Sequence, residues 1–87
     1  MIFELYEMDK DFIIDLLHHT HLRHVIKNVR NAAISEECDE MMLCELTLKD
    51  AEELVGQLSF EANNNRKKSV AYRACAIADL IEAQLSY

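Results

Sequence analysis

The sequence predicts a mainly α fold. It reads as a small three- to four-helix domain over residues 1–87, ending in an antiparallel helical hairpin, with a short β-ribbon from residues 2–7 and 42–47 as a further element. Three observations carry this. The chain holds one Gly and no Pro in 87 residues, although turns and sheet corners usually recruit both. Apolar residues recur at helical spacing through most of the chain. The length suits a single domain. The same scarcity of Gly excludes a dinucleotide-binding G-x-G-x-x-G loop or a P-loop and argues against a β-sandwich or barrel.

Residues 2–8, IFELYEM, fit either a strand or the first turns of a helix. Phe12, Ile13, Leu16 and Leu17 then form one helical stripe, and Leu22, Val25, Ile26, Val29, Ala32 and Ala33 form a second. Ile13 and Leu22 are nine residues apart, about 2.5 turns, so the stripes would lie on opposite faces of one straight helix. A break near His18-His19-Thr20-His21, with Thr20 capping a new start, resolves the conflict. A continuous helix touching partners on both sides is the alternative. Residues 41–47, MMLCELT, alternate poorly and fit a short strand, a helix or a loop.

The C-terminal half is the most regular. Thr47-Leu48-Lys49-Asp50 has the form of a capping box with Asp in place of Glu. Leu48, Ala51, Leu54, Val55, Leu58 and Ala62 follow on one face. Gly56 sits mid-helix, either as a tolerated surface residue or as a point of close helix approach opposite the small residues Ala71, Ala74, Cys75 and Ala78. Asn63-Asn64-Asn65 interrupts the pattern, and Asn serves well at helix caps. Val70, Ala74, Ile77, Ile81 and Leu85 mark a last helix from about residue 66 to 85. A short turn between two amphipathic helices implies an antiparallel hairpin.

Charge is segregated. The net charge is −7, yet residues 16–35 carry Arg23, Lys27 and Arg30 with no acid, and residues 62–78 carry Arg66, Lys67, Lys68 and Arg73 with no acid. Residues 36–61 hold nine acids against Lys49. The chain also has 29 large apolar residues (Ile, Leu, Val, Met and Phe), a surplus for a domain that buries only about 60–65% of its unfolded surface. Together these point to a non-catalytic interaction or regulatory protein that binds another protein through an apolar helix face flanked by charge, in the form of a homodimer. The candidate face comprises Leu22, Arg23, Val25, Ile26, Lys27, Val29 and Arg30, with Tyr72 and Arg73 on the last helix.

Two alternatives come from other classes. The acidic residues Glu36, Glu37, Asp39, Glu40, Asp50, Glu52 and Glu53 form a candidate face for an inhibitor that imitates DNA and blocks a nucleic-acid-handling partner. His18, His21 and His24 fall at i, i+3 spacing and are candidate metal ligands, although zinc needs further donors and Cys38 and Cys44 lack the usual ligand spacing. No cofactor, resident metal or enzymatic activity is expected. Neither are nucleic-acid or membrane partners, because net acidity repels phosphate backbones and no long apolar run occurs. Three Cys, an odd number, fit reduced thiols. Cys75 is expected to pack as a small apolar residue. The acidic N-terminal segment does not resemble a secretory signal, so the expected location is cytoplasmic.

Overall fold

A computed structural model describes residues 1–85. The fold is mainly α with a small antiparallel sheet. The elements are β1 (Ile2–Tyr6), a 3-10 turn (Glu7–Asp9), α1 (Lys10–Leu17), α2 (Arg23–Arg30), β2 (Ala33–Ile34), β3 (Met41–Glu45), α3 (Leu48–Asn64) and α4 (Lys68–Leu85). The chain divides into two compact units, Met1–Thr47 and Leu48–Tyr87. The span expected as one helical domain thus comprises a mixed first unit and an all-helical second unit.

In the first unit, β3 is the central strand of the order β1-β3-β2, and both its partners run antiparallel to it. The ribbon expected from residues 2–7 and 42–47 is β1 paired with β3. Phe3 faces Cys44 and Leu5 faces Met42, and all four side chains are buried. Ile2, Glu4 and Tyr6 face Glu45, Leu43 and Met41 on the opposite side of the sheet. The ladder continues beyond the strands, with the Leu46 N–H donating to the Met1 carbonyl at 3.0 Å and the Glu7 N–H donating to the Glu40 carbonyl at 2.8 Å.

The weak alternation of residues 41–47 has a physical cause. β3 has a neighbour on each edge, so Met41 and Leu43 on its outer side are half-covered instead of solvated, and apolar residues are tolerated on both faces. β2 escapes detection in the sequence because a two-residue strand has no period. Ser35 follows it, and its N–H donates to the Met41 carbonyl at 2.9 Å while its Oγ accepts the Glu37 N–H at 3.2 Å.

The helix break falls where the two apolar stripes require it. α1 buries Ile13 and Leu17, and α2 buries Val25 and Val29. Thr20 has a different role from the expected N-cap. Its hydroxyl donates to the Leu17 carbonyl at 2.7 Å and accepts the Leu22 N–H at 3.1 Å. It therefore closes the end of α1 and holds the turn, while the residue preceding α2 is Leu22, with no side-chain cap. Lys27 and Arg30 occupy the last turn of α2, where the helix dipole favours cations.

In the second unit, α3 begins directly after Thr47, as the capping box requires, and packs against α4. α3 buries Ala51, Leu54 and Leu58, and α4 buries Ala74, Ile77, Ala78, Ile81 and Leu85. Leu48 departs from the expected stripe and is exposed, because it is the first residue of the helix. Asn65 links the two helices. Its N–H donates to the Glu61 carbonyl at 2.9 Å, extending the last turn of α3, and its Oδ1 accepts the Lys67 N–H at 2.9 Å, just ahead of α4. No described residue has a positive φ, so this turn is made by side-chain capping instead of left-handed backbone.

Gly56 is exposed, and a Cβ built there would meet nothing within 4 Å. The surface reading is correct and the close-approach reading is not. Replacing it should relieve the entropic cost of a mid-helix glycine without a clash, because fewer unfolded conformations remain accessible. Gly56→Ala is expected to stabilise the protein by about 0.5–1 kcal/mol, read as a rise of a few degrees in the melting midpoint by circular dichroism. An unchanged or lower midpoint would contradict the open environment of Gly56.

Candidate functional site

The expected binding face on α2 is only partly at the surface. Leu22, Val25 and Val29 are buried, at 1%, 0% and 0% exposure, because they form the stripe that packs α2 inward. They are corrected from surface to core. Ile26 is half-buried, and Arg23, Lys27 and Arg30 are exposed. What remains is a basic groove. His18, at the end of α1, joins Arg23, Ile26, Lys27 and Arg30 of α2 around an open volume of about 340 Å³. The helical positions 23, 26, 27 and 30 share one face, so the sequence spacing alone sets four of the five lining residues. Tyr72 and Arg73 are both exposed on α4, Tyr72 at 70%.

The acidic residues divide between the two units. Glu36, Glu37, Asp39 and Glu40 are all exposed in the loop between β2 and β3. Glu52 is exposed and Glu53 half-buried on α3. Asp50 is buried at 8% exposure and is corrected from the acidic face to an interior position at the start of α3.

The helix break separates the histidines that i, i+3 spacing had placed together. His18 follows α1, His21 lies in the turn and His24 lies in the first turn of α2. Among the described residues, these three do not form a three-donor cluster. The ring of His18 instead meets that of His19 edge-on, with centroids 5.2 Å apart.

Sequence reasoning missed a surface on the sheet. Ile2 and Tyr6 stand 58% and 43% exposed on the face that also carries Glu4, Met41, Leu43 and Glu45. Ala33 of β2 pairs with Leu43 and extends this face. Ile2, Ala33, Leu43 and Glu45 line one groove with Asn28 of α2 and Asn31 just after it, about 400 Å³ in volume. The signal was present in IFELY, but the strand is apolar on both sides at Ile2-Phe3 and Leu5-Tyr6. Which pair faced water depended on the unseen partner strand.

The packing expected of Cys75 is found at Cys44 instead. Cys75 is exposed and not packed, with its thiol 3.9 Å from an Asp79 carboxylate oxygen. Cys44 is the buried one. Burial pushes its thiol up from 9.0 to about 11, against a lowering contribution from the Lys10 ammonium. That shift is opposite to the one that activates a nucleophile.

No protein-family model, curated protein or solved structure matches the chain.

A reactivity contrast follows from the thiols. Cys38 and Cys75 are expected to react with a thiol reagent at pH 8 within minutes. Cys44 is expected to react only as the chain opens, because it is both inaccessible and protonated. Mass spectrometry of the native protein should show two labels, with a third appearing in denaturant. Three labels at the native rate would contradict the burial of Cys44.

Proposed function

We propose that the chain is a non-catalytic interaction protein that binds a protein partner through the outer face of its sheet. One observation carries this reading: the exposure of Ile2 and Tyr6 beside the half-covered Met41 and Leu43. An apolar patch rimmed by polar residues is the usual mark of a protein-binding surface. Here it takes the role first given to the apolar residues of α2.

The surrounding charge favours a particular partner. Glu4 and Glu45 lie on the same face, and the exposed loop with Glu36, Glu37, Asp39 and Glu40 joins β2 to β3. A contact surface that is apolar at its centre and rich in Lys or Arg at its rim complements this arrangement. The acidic-inhibitor reading is the special case in which that basic surface otherwise holds nucleic acid. The homodimer is the case in which a second copy supplies the basic residues. Two exposed free thiols, Cys38 and Cys75, support a reducing compartment, and the cytoplasm is the proposed location.

The test uses the full chain immobilised as bait for host proteins, beside an Ile2→Ser/Tyr6→Ser variant. Both substitutions are at exposed sites and should leave the circular dichroism spectrum and melting midpoint nearly unchanged. The wild type is expected to retain at least one protein that the variant loses. Sedimentation of the bait at micromolar concentration tells whether that partner is a second copy. Identical capture and identical sedimentation of the two proteins would sink the proposal.

A further inference from the structure

We propose that the groove between the end of α1 and α2 is a binding site for a small oligophosphate anion. Three cations line it, Arg23, Lys27 and Arg30, together with the His18 imidazole and one apolar residue, Ile26. Among the described residues, Arg23, Lys27 and Arg30 pair with no acid, although the chain carries 16 acids against nine Lys and Arg. No Asp or Glu occurs anywhere in residues 16–35.

Neighbouring like charges at i, i+3 and i, i+4 on a helix repel one another. An acid at position 26, or one turn away, would relieve this. Position 26 instead holds Ile26, which is half-buried and forms part of the groove wall. The arrangement gains from a ligand that neutralises all three cations together.

The spacing selects the ligand. Arg23 and Arg30 lie about 10 Å apart along the helix axis at 1.5 Å per residue, so one isolated anion leaves part of the row unmatched. A short chain of phosphates places a charge beside each cation. The two guanidinium groups suit phosphate oxygens in particular, because each presents a planar fork of donors. The volume falls within the range of small-molecule sites. A long nucleic-acid backbone is disfavoured, because it would extend past the groove into the field of a protein with net charge −7. A small anion interacts mainly within one screening length of the cations, about 10 Å at roughly 0.1 M salt.

The test is calorimetric titration of the full chain with sodium tripolyphosphate, with citrate as a carboxylate comparison. Saturable binding at one site per chain is expected, weakening as salt rises. Arg23→Gln/Arg30→Gln is expected to weaken binding at least tenfold. Arg66→Gln/Lys67→Gln, in the other basic segment, should leave it unchanged. Circular dichroism checks the fold of each variant. Amide shifts of the wild-type chain provide an independent measurement that needs no variant, and they should centre on residues 18–30 as ligand is added. Absent saturation, equal weakening by both double variants, citrate binding as tight as tripolyphosphate, or shifts centred elsewhere would each overturn the assignment.

Discussion

The pairing register of β1 with β3 is the constraint on which the first unit depends. It places Phe3 against Cys44 and Leu5 against Met42, joining the first residues of the unit to its last strand. Side chains alternate across a strand with period two, so a slip of one residue would exchange every inward and outward side chain. Ile2 and Tyr6 would then enter the interior, and Phe3 and Leu5 would face water. The register therefore does two jobs. It closes the core with four buried side chains, and it leaves the opposite face apolar and accessible. Placing β3 between two strands makes that outer face broad enough to matter, because Met41, Leu43 and Ala33 continue what Ile2 and Tyr6 begin.

The second organising feature is the separation of charge. Surface ion pairs contribute little, about 0–1 kcal/mol each, so the fold loses little by leaving cations and acids apart. What it retains is local sign. One helix of the first unit presents Arg23, Lys27 and Arg30 around a groove, while the β2–β3 loop of the same unit presents four acids. With screening over about 10 Å at moderate salt, each patch keeps its own local field despite the overall negative charge. The unit therefore offers a cationic groove and an acid-rimmed apolar face, and neither follows from the net charge.

How much of this was legible in the sequence depended on whether the information was local. The hairpin of α3 and α4 was legible because its apolar stripe, its Asn turn and its length all lie within contiguous segments. The break between α1 and α2 was legible because two stripes out of phase cannot share a straight helix, although the role of Thr20 was misplaced by one turn. The side of α2 that faces water was not legible. Leu22, Val25 and Val29 have the same spacing whether they pack inward or await a partner, and only the surrounding fold decides between them. The outer sheet face was hidden for a related reason. In IFELY both sides are apolar, so the exposed pair is set by Cys44 and Met42, some forty residues away. Asp50 and Cys75 were misjudged from residue type alone. An aspartate at the start of α3 is drawn inward with that helix, and a cysteine off the α4 stripe faces solvent.

The β1–β3 register is tested most directly by solution NMR. In an antiparallel ladder, non-hydrogen-bonded pairs bring their Cα atoms to about 4.5 Å, close enough for strong contacts between the α-protons. The hydrogen bonds at Met1–Leu46 and Glu7–Glu40 make Ile2–Glu45, Glu4–Leu43 and Tyr6–Met41 those pairs. Cross-strand α-proton contacts are predicted at these three positions. Contacts shifted by one residue, such as Phe3 with Leu43, or no contacts between these segments, would contradict the account.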